Sequence, residues 1–316
     1  MVIKYEILLA TYNGARFLSE QLNSISSQIL LPSRVLVSDD SSSDDTVNII
    51  KKWSAQVYFE VSILPPSSYQ LGCRANFEKL LNASRFDYVM FADQDDIWDV
   101  SKAQRMLDTM IFFESRYSTS TPLVVHSDLR LIREDGSLIA PSYFKYQGIN
   151  SSKDDFCSIA LQNIVTGCSC IVNRSCIAYA LPFPSNIILH DWWIALVTSY
   201  FGKLIFLPEP TLGYRQHSSN LVGALGVVPL LVRRFFQLFT ESNPLDIWIG
   251  SPFRQLRAFS AKYILPEDHM YKFIVFLFNP NPFMRLYGAY RLGLSKHGAF
   301  RTLTFYILMI FWKPGR

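Results

Sequence analysis

Short apolar runs that end in polar, acid-rich loops punctuate the first hundred residues. Residues 5–10 (YEILLA) stop at Thr11-Tyr12-Asn13-Gly14, which predicts a buried strand entering a loop. Leu18, Leu22 and Ile25 then recur at helical spacing. Residues 34–38 (RVLVS) predict a second buried strand, and the following run Asp39-Asp40-Ser41-Ser42-Ser43-Asp44-Asp45-Thr46 offers a capping residue for a helix over 47–53. A strand over 57–64, a helix over 75–83 and a strand over 88–92 (YVMFA) continue the alternation. This βαβαβαβ order with short connections predicts an α/β fold with a doubly wound, mostly parallel sheet.

Beyond it the pattern predicts a helix over 100–114 and a strand over 123–132 with a turn at Glu134-Asp135-Gly136. A small-residue strand over 166–172 follows, then a helix opened by Leu189-His190-Asp191-Trp192-Trp193, then residues 211–214 leading to Arg215-Gln216-His217. The character of the chain changes near 224–228. We therefore expect a domain over 1–225 and a basic, aromatic-rich helical extension over 226–316.

Composition sharpens this division. Hydrophobic residues make up 49% and charged residues 18%, so global disorder is excluded. Residues 226–316 hold 12 Lys and Arg against 4 Asp and Glu, while the first 225 hold 18 against 22. An acidic body with a basic tail is not a uniformly basic nucleic-acid binder, so no nucleic-acid partner is expected. The tail carries 19 aromatics. It suits either peripheral contact with an anionic membrane or a helical subdomain and oligomer interface. The five cysteines are odd in number and lack a second CxxC-type pair, which predicts reduced thiols. The first residues run straight into a strand with Glu6 where a signal peptide would be apolar, and no stretch reaches the ~18–20 apolar residues of a span. A cytoplasmic location, peripheral on the inner membrane's cytoplasmic face, is the expectation.

The acids sit where such a sheet binds ligands, beyond the carboxyl ends of its strands: Asp39-Asp40 after the second, Asp93-Gln94-Asp95-Asp96 after the fourth. A short acidic run alone is often a solvated turn. Directly after a buried strand and before Trp98, repelling carboxylates make sense around a cation. Carboxylates two apart suit Mn²⁺ or Mg²⁺ shared with a diphosphate. Asp191 opens an apolar helix, where an aspartate is commonly an N-cap. The tryptophans beside it suit a sugar face or a core. A nucleotidyltransferase would show a Gly-rich phosphate loop, which residues 10–15 do not. A non-catalytic sugar-nucleotide-binding protein would lack the acids.

The runs Ala10-Thr11-Tyr12-Asn13-Gly14, Val37-Ser38-Asp39-Asp40-Ser41 and Phe91-Ala92-Asp93-Gln94-Asp95-Asp96-Ile97-Trp98 resemble the N-terminal half of inverting glycosyltransferase family 2, which has the GT-A fold. His190-Asp191-Trp192-Trp193 and Tyr214-Arg215-Gln216-His217-Ser218-Ser219-Asn220 resemble its bacterial rhamnosyltransferase-like branch, which builds O-antigens and cell-wall rhamnose polysaccharides. The resemblance spans residues 3–223. It implies a nucleotide-diphosphate sugar donor, with dTDP-L-rhamnose favoured and a UDP-hexose (galactose, glucose or N-acetylglucosamine) as the alternative. It implies a saccharide acceptor, typically lipid-linked. Thr11 and Tyr12 would line the nucleoside pocket, and Asp40 would accept from the pyrimidine imide N–H, with Asp39 a structural acid. Asp93, Gln94 and Asp95 match the Asp-x-Asp motif. Asp95 and Asp93 would hold the cation with His217, which can equally be a loop-bonding histidine. Asp191 matches the catalytic base, Trp192 and Trp193 would meet the acceptor, and Arg74 would reach a phosphate or lie on a surface helix.

Overall fold

The computed structural model describes residues 3–218 and 245–314. The expected domain boundary near 224–228 lies outside the described residues. Nine strands form one mixed sheet. They are β1 (Tyr5–Thr11), β2 (Arg34–Asp39), β3 (Glu60–Ile63), β4 (Tyr88–Ala92), β5 (Ile97–Trp98), β6 (Leu123–Ile132), β7 (Leu138–Ala140), β8 (Cys170–Asn173) and β9 (Lys203–Arg215). The order is β3-β2-β1-β4-β8-β6-β9-β5, with β7 paired to β6.

The first four strands are parallel, as the apolar runs predict. Helices α1 (Ala15–Ser26), α2 (Thr46–Ser54) and α3 (Gly72–Ala83) connect them. β1 and β4 are buried on both faces, which is why they read as continuous apolar runs without alternation. Glu6 sits fully buried in β1 because it is fully used. It accepts from Arg34 Nε at 2.9 Å and from the backbone N–H of Arg85 at 2.7 Å.

The second half is mixed. β8 runs antiparallel to both β4 and β6, while β6 and β9 are parallel. The small-residue run over 166–172 splits into a tight 3-10 turn at Gly167–Ser169 followed by β8. Helices α4 (Lys102–Tyr117), α5 (Tyr143–Gln147), α6 (Phe156–Leu161), α7 (Arg174–Ala180) and α8 (His190–Phe201) cover this half. Four more follow: α9 (Ser251–Tyr263), α10 (His269–Phe276), α11 (Pro282–Arg291) and α12 (Ala299–Phe311). Their apolar side chains share one core with the sheet domain, since Phe253, Leu256 and Phe259 lie in the same cluster as Phe156 and Trp193. No described helix is long and apolar enough to cross a membrane.

One pairing positions the site. β5 lies antiparallel to the end of β9, with Ile97 opposite Gly213 and Trp98 opposite Leu212. That register folds the residues after β9 back over the acidic loop between β4 and β5.

Candidate active site

The loops after β1 and β2 are knitted together by side chains. The Thr11 hydroxyl donates to Asp39 Oδ2 at 2.7 Å, and the Ser42 N–H and hydroxyl donate to the same carboxylate at 2.8 and 2.6 Å. Asp39 thus shapes the loop. Tyr12 leaves its ring 45% exposed while its backbone bonds the Gln94 amide twice: Tyr12 N donates to Gln94 Oε1 at 2.8 Å and Gln94 Nε2 donates to Tyr12 O at 2.9 Å. Gly14 makes room for that amide, since a Cβ there would stand 2.2 Å from Gln94 Oε1.

Asp40 is buried and accepts the Leu71 and Gly72 N–H groups at 2.6 and 2.7 Å, so it holds the start of α3. One lone pair on each of its oxygens remains for a ligand donor. Arg74, on α3, donates to the carbonyls of Pro184 (3.4 Å) and Ser185, joining α3 to the loop before α8.

Three carboxylates crowd the far wall. Asp93 keeps partial exposure on the pocket side. Burial, followed by repulsion from Asp96, Asp95 and Asp191, drives its carboxyl well above the usual range. Asp96 is fully buried, accepts the Arg215 N–H at 3.2 Å, and is pushed by burial and by Asp95 to about 7. Asp95 Oδ2 lies 2.8 Å from His217 Nε2. His217 packs on Phe17, with ring centroids 4.9 Å apart.

Two groupings can be weighed as cation sites. Atoms of Asp93, Asp96 and Cys168 lie within 4.8 Å of one another. A soft thiol is a poor match for Mn²⁺ or Mg²⁺, which prefer oxygen ligands, and burial holds the Cys168 thiol above its usual range. Asp95 and His217, by contrast, present a carboxylate oxygen and an imidazole nitrogen 2.8 Å apart, while Asp93 groups with Asp96 and Cys168 rather than with this pair. The uncompensated repulsion around Asp93 is what a cation would relieve. The Asp95–His217 pair supplies an oxygen and an imidazole donor of the kind a divalent ion takes.

Asp191 stands opposite. It is the second residue of α8, after His190, so the plain N-cap reading of it fails: the cap position is Leu189. Its oxygens accept the Gly167 N–H at 3.0 Å and the Trp192 N–H at 2.6 Å. Burial nevertheless pushes its carboxyl up to about 6. Its charge is felt by Asp93 and, together with those of Asp93 and Asp40, by the Cys73 thiol. Geometry brings Asp191 near Asp93: it holds the Gly167 N–H, and the thiol of the next residue, Cys168, lies within 4.8 Å of Asp93 and Asp96.

Beneath Asp191, His190 stacks on Phe77 at 3.9 Å between ring centroids. Its ring nitrogens have no hydrogen-bond partner among the described residues, and burial lowers it to about 3, so the ring is neutral. Gly167 clears space for it, since a Cβ would sit 2.8 Å from His190 Nε2.

The tryptophans need correction. Trp193 does not face the pocket: it is fully buried, donates from Nε1 to the Ala180 carbonyl at 2.9 Å, and packs against Tyr263 and Phe259. An apolar helix starting at the site turns its second tryptophan into the core. Trp192 stays partly exposed, with its Nε1 donating to Ile159 O at 2.6 Å.

Two residues of the site carried no separate expectation. Lys102 is fully buried beside Asp96, donates to the Cys168 carbonyl and lies 3.9 Å from the Trp98 ring centroid. Burial lowers its amine to about 8. Arg215 is fully buried and donates to the Asp95 carbonyl at 2.8 Å, fixing the acidic loop from behind. Its place between Tyr214 and His217 was the available signal.

Comparison with known proteins agrees with this geometry. Residues 6–161 match the family model "Glycosyl transferase family 2". The chain is 28% identical over 229 residues to the "dTDP-rhamnosyl transferase RfbG" of Shigella flexneri, covering 68% of this chain and 74% of that one. In fold it resembles S. aureus TarS 1-349 solved with UDP-GlcNAc, at TM-score 0.54 and 17% identity, over 97% of this chain and 90% of that one. It also resembles the mannosyltransferase PcManGT of Pyrobaculum calidifontis, solved with GDP-Man and Mn2+, at TM-score 0.53 and 15% identity, over 97% and 85%. The sheet described above is thus the GT-A fold with a helical C-terminal part. Its acids, loops and sequence identify residues 6–161 as a glycosyltransferase family 2 domain.

Proposed function

We propose that the chain transfers L-rhamnose from dTDP-L-rhamnose, with inversion, to a lipid-linked saccharide in surface polysaccharide or O-antigen synthesis. The observation that carries the chemistry is Asp191, a buried carboxylate that holds the Gly167 N–H at 3.0 Å, one residue from the Cys168 thiol that lies within 4.8 Å of Asp93. The similarity to a dTDP-rhamnosyl transferase supports the donor.

In this reading Tyr12, Thr11 and Asp40 hold the nucleoside, and Arg74 borders the diphosphate. Asp95, Asp93 and His217 would hold Mn²⁺ or Mg²⁺, which supplies charge neutralisation for the departing diphosphate. Asp191 accepts the proton of the acceptor hydroxyl as that oxygen attacks the anomeric carbon from the side opposite the leaving group. The new C–O bond forms as the bond to the β-phosphate oxygen breaks, and the nucleoside diphosphate leaves with the electron pair. The two backbone N–H groups on Asp191 orient the carboxylate and leave a lone pair on each oxygen for that proton. Trp192 flanks the acceptor. The protein acts peripherally on the cytoplasmic face of the membrane that carries the acceptor.

The test is a donor panel with purified protein, Mn²⁺ or Mg²⁺ and a lipid-linked acceptor preparation, reading released nucleoside diphosphate. Turnover of dTDP-L-rhamnose above UDP-galactose, UDP-glucose and UDP-N-acetylglucosamine is expected. Preference for a UDP-hexose would replace the donor assignment, and no turnover of any donor would remove the reading.

A further inference from the structure

We infer that the outward face of α12 docks on an anionic lipid bilayer, which deepens the lipid-linked-acceptor reading above by giving the membrane a place on the protein. On this helix Phe300, Leu303, Ile307, Ile310 and Phe311 are between 46% and 66% exposed. Phe305, Met309 and Trp312 are at most 2% exposed. At about 100° per residue the two sets fall on opposite sides of the helix. The buried set anchors α12 to the body. The exposed set forms an apolar stripe along the whole helix, uncovered among the described residues.

The helix does not span a bilayer, since its 13 residues reach only about two-thirds of the length required. Lying in the interface plane is the arrangement left to an apolar stripe of this length. Charge selects the occupant. From residue 269 to 316 the chain has seven Lys and Arg and no Asp or Glu. At one end of the helix a cleft of about 560 Å3 is lined by Lys153, Lys296, Thr302, Leu303 and Tyr306, so cationic side chains meet the apolar stripe there. Lys313 is exposed at the other end. An apolar stripe bordered by lysines, in a segment from 269 onward without acids, matches the headgroup boundary of anionic lipids. A second copy of the same face is disfavoured, because two Lys-bearing rims of like charge would repel. The C-terminus of α12 is fixed from inside by Arg285, whose guanidinium donates to the carbonyls of Met309 and Ile310 at 2.9 and 3.3 Å, so the stripe is held rigidly outward.

The test is co-sedimentation of the full chain with vesicles of phosphatidylcholine alone and of phosphatidylcholine with phosphatidylglycerol. Binding is expected only to the second, and to weaken as salt is raised. The double variant Leu303→Glu, Ile307→Glu is expected to lose at least about tenfold in vesicle partition, with thermal unfolding and nucleotide-sugar binding unchanged. Leu303→Ser serves as the milder variant should the double one unfold, and is expected to bind less tightly than wild type. Equal vesicle binding by a folded variant overturns the inference, as does wild type that fails to sediment. So does a concentration-dependent dimer that the variant abolishes. Vesicle binding without nucleotide-sugar binding would remove the functional reading and leave the docking surface standing.

Discussion

His217 Nε2 rests 2.8 Å from Asp95 Oδ2 across a sequence separation of 122 residues. The contact exists because β5 pairs with the end of β9 and because Arg215, two residues earlier, bonds the Asp95 carbonyl. If the pair holds a cation, Asp95→Ala and His217→Ala should each weaken Mn²⁺-dependent nucleoside diphosphate binding by at least about tenfold. Calorimetric titration with and without chelator reads this. A merely structural His217 would lower the melting temperature and leave the Mn²⁺ dependence intact.

Asp191→Asn keeps the shape and the acceptor geometry toward Gly167 but removes the negative charge. Transfer should fall by ~10²–10⁴-fold, the range of a lost general base. Donor affinity should be unchanged. Full activity in this variant would eliminate Asp191 as the base.

The same residue sets a pH dependence. Burial raises the Asp191 carboxyl to about 6, and only its ionised form accepts a proton. kcat/KM should therefore be flat above that value and fall about tenfold per pH unit below it. An initial-rate profile between mildly acidic and mildly alkaline pH, with the protein's fold checked at each point, measures it. A flat profile through this range contradicts the assignment.

Trp193 should behave as core. Trp193→Ala removes a fully buried indole and its bond to the Ala180 carbonyl, which should cost ~3–5 kcal/mol of stability. Trp193→Phe should cost less and leave acceptor KM unchanged. Thermal denaturation and acceptor titration separate the two effects.

Gly202 is a second packing test. It ends α8, and a Cβ there would stand 1.8 Å from the Pro122 carbonyl oxygen. That oxygen also accepts the Lys203 N–H at 3.0 Å and begins the β6–β9 ladder. Gly202→Ala should destabilise by ~1–3 kcal/mol or more, visible as an earlier urea midpoint.

The sequence reading succeeded where one physical rule acts alone. Buried parallel strands announce themselves as apolar runs, and acids at their ends are conspicuous because nothing local neutralises them. It failed where distant partners decide. β8 reads like any short strand, and only its neighbours β4 and β6 make it antiparallel. Lys102 carries no signal of its own in the sequence, yet Asp96 and the Cys168 carbonyl hold it inside. Two adjacent tryptophans looked equivalent, and the pitch of α8 sent one inward. Asp40 also appeared as a ligand acid, with no sign that it clasps the start of α3.

The Gln94 amide gives the site a mechanical property. By gripping the Tyr12 peptide unit from both sides, it welds the nucleoside loop to the segment bearing Asp93 and Asp95. Ordering either segment thus orders the other, so if the first takes a nucleoside and the second an ion, the two affinities are linked, each enhancing the other by one shared factor. Shortening that side chain would uncouple the two while leaving every ligand atom in place.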